Sequence, residues 1–295
     1  MARTGALQTA ARIRRRARSD HRAEIVALGA TCTSGATSLT LATLTNAVVV
    51  GAELEIGSEL VRVTAVNTST NAITVIRGWA DSTAAAHTAG DVVRINPRFS
   101  LQDIYEMMVT ELASWDNLYR LLDDTFTVDT GAVNYELPVA WANMRHLITV
   151  RQKAGSSSYL SWPRISTELI HGTPTGFDGA STSGKLLRFR TPLLTGDIYV
   201  RGALPFATFT LDDDLVADVG LSDGMLEVLE LGTLLKMLGD DLQARTARNA
   251  QDEARRAEET PLGALVPSNQ WLFATYMRRR SEEAAKLLAR DGVWM

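Results

Sequence analysis

The chain has 295 residues, enough for a sizeable core and two or three modules of ordinary domain size. It is 45% hydrophobic, has no uninterrupted apolar run of the roughly 18 residues that span a bilayer, and carries one cysteine, Cys32, which excludes an internal disulfide framework. The net charge of −4 is uneven: the first 28 residues hold seven arginines against Asp20 and Glu24, a net of +5 that leaves −9 on the rest.

No apolar core follows the arginine-rich start, so secretion is not expected. Leu7, Ala10, Ile13 and Ala17 form a weak apolar stripe that predicts an amphipathic helix. Arg14, Arg15 and Arg16 on it are candidates for phosphate contact, since guanidinium pairs bidentately with phosphate oxygens. With no aromatic residue interleaved, a solvated or subunit-bridging face is the reading to prefer.

From Ala30 the pattern turns to period two with β-branched residues. Leu54–Ile56, Gly57-Ser58 and Leu60–Val66 predict a hairpin with Gly57 in its tight turn. Ile73–Ile76 and Val92–Ile95 follow, and short strands in so few residues suggest a small barrel or sandwich. His87 sits in the alanine-rich link before the last strand without a partner at metal-ligand spacing, so a loop or capping role is expected.

Pro97 closes that module. Ser100 and Asp103 make a capping-box start, and Leu101, Ile104, Tyr105, Met108, Leu112, Trp115, Tyr119 and Leu122 continue on one stripe, predicting a core helix rather than a cofactor cradle. A second β stretch runs from Phe126 through Tyr135–Pro138, Leu147–Arg151, Tyr159–Trp162, Lys185–Arg190 and Ile198–Arg201. Leu187 and Phe189 alternate with Arg188 and Arg190, and Ile198 and Val200 with Tyr199 and Arg201, as in half-buried antiparallel strands. The expected form is a sandwich with jelly-roll character, interrupted by a long loop over Thr173–Gly184.

That loop holds a near match to a phosphate-binding G-x-x-x-x-G-K-[ST] loop in Gly179, Gly184 and Lys185. Leu186 stands where a magnesium-binding hydroxyl is required, and an alternating strand follows instead of a helix, so nucleotide binding is not expected. Gly179-Ala-Ser181-Thr-Ser183 lacks the final glycine of a nucleophile elbow. His21, His87, His146 and His171 are scattered, and Asp212–Asp214 lacks the alternating ligands of a calcium loop and reads as a turn. No catalytic, cofactor or metal residue is assigned, and the chain does not read as an enzyme.

After Gly220 the pattern is helical. Ser222 is a candidate N-cap, and Met225, Val228, Gly232, Leu235, Gly239 and Leu242 form a stripe whose glycines predict close approach of another helix. Pro261 and Gly263 break it, and a second helix capped by Ser268 carries Trp271, Phe273, Tyr276, Met277, Ala284 and Leu288, giving an antiparallel hairpin. The sequence ends Arg290-Asp-Gly292-Val293-Trp294-Met295, apolar residues able to dock into a partner or to pack onto their own helices.

The resulting class is α+β: a helical bundle with a C-terminal helical hairpin and two inserted antiparallel β modules, one a small barrel and one a jelly-roll-like sandwich. The expected parts are a basic N-terminal helix or arm (1–29), the barrel-like module (30–97), the core helix (98–124), the sandwich (125–215), the hairpin (216–290) and a docking tail (291–295). This order, the segment Arg77-Gly-Trp-Ala-Asp-Ser-Thr-Ala-Ala-Ala-His-Thr-Ala-Gly-Asp-Val-Val-Arg-Ile95 and Tyr135-Glu-Leu-Pro138 resemble the head-to-tail connector, or adaptor, proteins of long-tailed double-stranded DNA bacteriophages. The smallest adaptors are nearly all helical, and the two β insertions depart from them.

The resemblance implies a structural virion protein made in the host cytoplasm, with no cofactor and no membrane association. Such proteins form a ring, usually of twelve subunits, beneath the portal. The ring lines the DNA channel, touches passing double-stranded DNA transiently and contacts the next neck or tail-completion protein. Arg290, Gly292, Val293, Trp294 and Met295 would then anchor on the portal protein. The rival readings are a tail or tail-tip protein whose β module binds carbohydrate on Trp141 and Trp162, and an enzyme with a site assembled from distant residues.

Overall fold

In a computed structural model the chain is described over residues 4–17, 24–129, 131–153, 162–171, 183–191, 193, 196–252 and 265–291, with the side chains of 240–252, 265–269 and 290–291 outside that description. It is a mixed α+β protein, with four α-helices and antiparallel sheets among the described residues. Two compact units form: residues 1–112 with 208–279, and residues 113–207 with 280–295. No helix among the described residues is long and apolar enough to cross a membrane.

In the first unit, α1 (Ala6–Arg16) buries Ala6, Thr9, Ala10 and Ile13. The buried stripe is therefore rotated from the expected one, and Leu7 lies exposed. Its first free amides are satisfied from the segment read as a turn: Ala6 N donates to Asp213 O at 2.9 Å and Leu7 N to Leu211 O at 3.1 Å.

Six strands follow, β1 (Glu24–Ala27), β2 (Ser38–Thr40), β3 (Glu53–Ile56), β4 (Glu59–Asn67), β5 (Ala72–Ile76) and β6 (Val92–Ile95). They pair antiparallel in the order β1-β6-β3-β4-β5-β2. The two outer strands are themselves linked, because Gly29 N donates to Thr40 O at 2.7 Å and Ala42 N to Ala27 O at 2.8 Å. Leu28, Leu39, Leu54, Ile56, Val61, Ile73 and Val93 fill the interior. The expected β3–β4 hairpin turns at Gly57, whose φ is +64°. Two strands escape the sequence pattern. β1 lies in the stretch assigned to the basic arm, and β1 and β2 are three or four residues long, too short for alternation to register.

Helix α2 (Leu101–Ala113) has the reciprocal cap its sequence predicts: Ser100 N donates to Asp103 Oδ2 at 2.8 Å and Asp103 N to Ser100 Oγ at 3.0 Å. It ends at Ala113, not near Leu122. The run Ser114-Trp-Asp-Asn117 turns the chain, and Leu122 belongs to the next strand.

Helices α3 (Asp223–Asp252) and α4 (Leu265–Asp291) follow. Ser222 Oγ accepts from Met225 N at 3.3 Å, the predicted cap. On α3, Met225, Val228, Leu229 and Met237 are buried but Gly239 is exposed, and α4 begins three residues before Ser268.

The second unit holds β7 (Arg120–Thr127), β8 (Asn134–Glu136), β9 (His146–Gln152), β10 (Thr167–His171), β11 (Lys185–Phe189) and β12 (Asp197–Leu204). They form two three-stranded sheets, β7-β12-β9 and β10-β11-β8, over a shared core that includes Phe126, Leu137, Trp141, Val150, Leu187, Phe189, Ile198 and Val200. Leu187 and Phe189 point inward as the alternation predicts. Tyr199 lies on the opposite face from Ile198 and Val200, as the alternation predicts, but it is buried, with the Arg201 guanidinium 5.8 Å over its ring. β10 was not anticipated. The expected strand at Tyr159–Trp162 falls largely outside the described residues, and Trp162 itself lies in a bend.

Candidate interaction surfaces

Four carboxylates organise the first unit, and none of them stood out in the sequence. Glu59, at the start of β4, has no exposed side-chain surface. Its Oε1 accepts from Arg77 Nε at 2.6 Å and Gly78 N at 3.2 Å. Its Oε2 accepts from Arg77 Nη2 at 2.7 Å and Ala85 N at 3.1 Å and lies 2.7 Å from His87 Nε2. Burial alone would raise the Glu59 carboxyl, but the bonds from Arg77, Ala85, His87 and Gly78 outweigh it and hold the carboxyl below its ordinary range. The bond to Glu59 raises the Arg77 guanidinium in turn.

Arg77 also donates to the carbonyls of Thr33, Ala36 and Ala85 at 2.8, 2.9 and 2.5 Å, so one guanidinium ties four segments of the six-stranded module together. With both oxygens so engaged, the Glu59 carboxylate has little capacity left to act as a base. The segment Arg77–Ile95 is thus wrapped around Glu59. Gly78 in it has φ +59° with Ser82 O 2.9 Å from where a Cβ would stand, so only glycine fits. Ala80 and Asp81 adopt φ of +51° and +59°, a conformation that costs L-residues about 1–2 kcal/mol each and that the hub holds in place. His87, in the link before β6, is buried, 2.7 Å from Glu59 Oε2 and 3.9 Å from Asp91.

The basic helix is occupied internally. Arg14 Nη1 lies 2.5 Å from Glu55 Oε1, and Arg94 approaches the same oxygen at 3.1 Å. The other oxygen of Glu55 accepts from Leu101 N, at the positive end of α2, at 2.9 Å. Arg12 and Arg16, one turn apart, both pair with Glu230 of α3. Of the three predicted phosphate or subunit contacts, Arg14 and Arg16 are in ion pairs and Arg15 is exposed. Glu111 of α2 is the fourth hub: it accepts from Tyr276 Oη at 2.6 Å and lies 3.2 Å from Lys236 Nζ, joining α2, α3 and α4.

The remaining sequence candidates resolve plainly. Lys185 opens strand β11 and approaches His171 Nδ1 at 2.5 Å, while Leu186 is buried and paired with Ile170; a strand stands where a phosphate loop needs a helix. Gly179 and Ser181 lie outside the described residues. Asp214 caps a local turn by accepting from Val216 N and Ala217 N at 2.9 and 3.0 Å. Among the described residues no group of three or more His, Cys, Asp or Glu side chains is placed to hold a metal ion. Trp141 and Trp162 are 1% and 8% exposed and offer no stacking platform. Gly292, Val293, Trp294 and Met295 lie outside the described residues, and Arg290, in the last turn of α4, has no described side chain.

The first unit also leaves large apolar side chains uncovered. On α4, Trp271, Phe273 and Met277 are 69, 56 and 43% exposed, beside the buried Leu272 and Tyr276. A scan against protein-family models matches none of them, and comparison with curated proteins finds no match.

Proposed function

We propose that the chain is a structural virion protein, a head-to-tail adaptor that forms a ring below the portal, lines the DNA channel and connects the capsid to the tail. The observation that carries this reading is the exposed aromatic surface of α4, within a unit whose buried charges are already matched to one another. Exposed rings of that size on a long helix mark a surface meant for protein partners. The resemblance of Arg77–Ile95 to adaptor proteins supplies the class. In this reading the six-stranded sheet is a small barrel closed between β1 and β2. The paired three-stranded sheets are a sandwich of jelly-roll type, and the helices contribute a bundle around the channel.

The mechanism is geometric. Ring closure makes a conduit, and the acidic balance outside the first 28 residues limits adhesion of transiting DNA by like-charge repulsion. With Arg14 and Arg16 held by Glu55 and Glu230, the arginine helix serves the subunit's own fold more than DNA. The tail 291–295, ending Val293-Trp294-Met295, anchors on the portal, and the next neck or tail-completion protein binds the opposite rim. The carbohydrate-binding alternative loses its platforms with the burial of Trp141 and Trp162.

The test is a portal pull-down with electron microscopy of the complex, for the full chain and for a variant lacking residues 291–295. The full chain is expected to ring the portal, and the truncated chain to keep its circular dichroism spectrum but fail to bind. Truncating a tryptophan that anchors an interface typically costs about 2 kcal/mol or more. A compact dimer that ignores the portal overturns the reading.

A further inference from the structure

The outer face of the β7-β12-β9 sheet carries more cations than the acids on it can match. Phe126, Val150, Ile198 and Val200 point into the core of the second unit, so the alternate residues Asp123, Arg151, Lys153, Asp197 and Arg201 lie on the other side. Both carboxylates are engaged there. Asp123 accepts the Arg201 fork at 2.8 and 2.6 Å, and Asp197 accepts from Lys153 Nζ at 2.6 Å.

A further cation is added at the other edge of β9. Gln152 N donates to Pro163 O at 3.0 Å and Ile165 N to Val150 O at 2.9 Å, which places Arg164 directly opposite Arg151. These bonds lie on either side of the pair, so the two arginines occupy a non-hydrogen-bonded site of the ladder, where side chains approach most closely. Ile165 packs on the core, so Arg164 shares the outer face with Arg151. Arg164 is exposed and has no ion pair among the described residues. Arg151 is half-buried, and its Nη1 donates to Trp162 O at 3.0 Å, which braces the guanidinium. Like charges directly opposite one another in a sheet are unfavourable, and an anion shared between them removes the conflict.

We propose that Arg151 and Arg164 together bind a phosphate group on the outer face of this sheet. A carboxylate is planar and is satisfied by one guanidinium fork, whereas a tetrahedral oxyanion accepts from donors on two sides, as two guanidiniums on neighbouring strands supply them. Free phosphate and the phosphodiester of a nucleic acid share this chemistry. The proposal stands on this face alone and holds or fails apart from the adaptor reading.

The melting temperature of the full chain in rising inorganic phosphate, with chloride holding ionic strength constant, tests it. Phosphate stabilises folded proteins in general by exclusion from their surface, so the readout is the gap between wild type and variant. Arg164→Gln relieves the repulsion and is expected to melt no lower than wild type without phosphate. It should lack the specific response, so that the gap grows in favour of the wild type as phosphate is added and then saturates. Arg164→Glu gives Arg151 a carboxylate across the ladder; it should melt above wild type without phosphate and show no specific response. Position 164 is exposed, so both variants are expected to keep the wild-type circular dichroism spectrum. Arg188→Gln, which removes a cation from the β10-β11-β8 sheet, should respond as the wild type does. A gap that does not change with phosphate, an Arg164→Glu variant that responds like the wild type, or an equal loss in Arg188→Gln each overturns the proposal. Fluorescence anisotropy with a short DNA duplex separates the two sources. Duplex binding that Arg164→Gln weakens, with a salt dependence flatter by about one unit of slope, identifies nucleic acid. A phosphate response with duplex binding absent or unchanged identifies free phosphate.

Discussion

Gly232 of α3 packs directly against Glu111 of α2, and a methyl group at position 232 would overlap the Glu111 carboxylate. That carboxylate is held by Tyr276 Oη at 2.6 Å and Lys236 Nζ at 3.2 Å and is nearly fully buried, so it cannot swing aside freely. Gly232→Ala is expected to destabilise the protein by about 1–3 kcal/mol through overpacking, despite the roughly 1 kcal/mol gained in helix propensity. Gly239→Ala, in open space, should instead stabilise it by about 0.4–1 kcal/mol. Urea unfolding of the two variants decides it, and equal shifts would show that Glu111 does not constrain the glycine.

The pairing of Arg77 with Glu59 makes the six-stranded module sensitive to loss of either partner. Arg77→Ala leaves a fully buried carboxylate without its cation, and removing one member of a buried pair costs about 3–5 kcal/mol. Replacing both, as Glu59→Leu with Arg77→Met, should cost less than Arg77→Ala alone, because no uncompensated charge remains. A double variant less stable than Arg77→Ala would contradict this account.

The same hub sets a pH dependence. Glu59 in the folded chain titrates below its ordinary value of 4.5, so the unfolded chain takes up the proton first. Its contribution is complete above that value and is lost as pH falls through the folded pKa. The difference in urea midpoint between wild type and Glu59→Gln is therefore expected to be largest near neutrality and to shrink below about pH 4.5. A gap constant from neutral to acidic pH would rule out the linkage.

What the sequence made legible was local. The Ser100–Asp103 cap, the turn at Gly57, strand Val92–Ile95 and the inward Leu187 and Phe189 all depend on spacings within a few residues. What it hid depends on distant partners. Glu59 meets His87 across 28 residues, Glu55 meets Leu101 across 46 and Glu111 meets Tyr276 across 165. None of these acids gave a local sign of a cation or donor elsewhere. Trp115 continued the apolar stripe of α2 but lies past its end, where its ring meets Phe206 edge-on and its carbonyl accepts from Arg145 at 2.5 Å. The exposed ridge on α4 was visible as a row of large side chains, but periodicity could not say which of them, Tyr276 or Phe273, would face inward.

Burial of Trp141 makes it a core residue of the second unit. It packs on Phe126 with ring centroids 5.8 Å apart, and a Cβ at Gly202 would come within 2.8 Å of its ring. Trp141→Ala is expected to lower stability by about 3–5 kcal/mol, and Gly202→Ala by about 1–3 kcal/mol. Neither should change retention on immobilised polysaccharide relative to the wild type. Retention by the wild type that Trp141→Ala abolishes without loss of fold would restore the carbohydrate-binding alternative.

The arginine helix gives the sharpest separation of a structural from a nucleic-acid role. Arg14, Arg15 and Arg16 adjoin in sequence but point to different sides of α1: Arg14 reaches Glu55, Arg16 joins Arg12 on Glu230, and Arg15 faces solvent. Arg14→Ala strips Glu55 of one cation while Arg94 and the Leu101 amide remain, so a loss of about 1–3 kcal/mol in stability is expected. Arg15→Ala should leave stability within about 0.5 kcal/mol. For double-stranded DNA, the affinity of the Arg14 variant should match the wild type. A contact made by Arg14 to phosphate would instead weaken binding and flatten its dependence on salt by about one unit of slope. Fluorescence anisotropy with a short duplex at several salt concentrations, beside urea unfolding of the same variants, measures both. Weakened DNA binding by Arg14→Ala at unchanged stability would overturn the assignment of this residue to the fold.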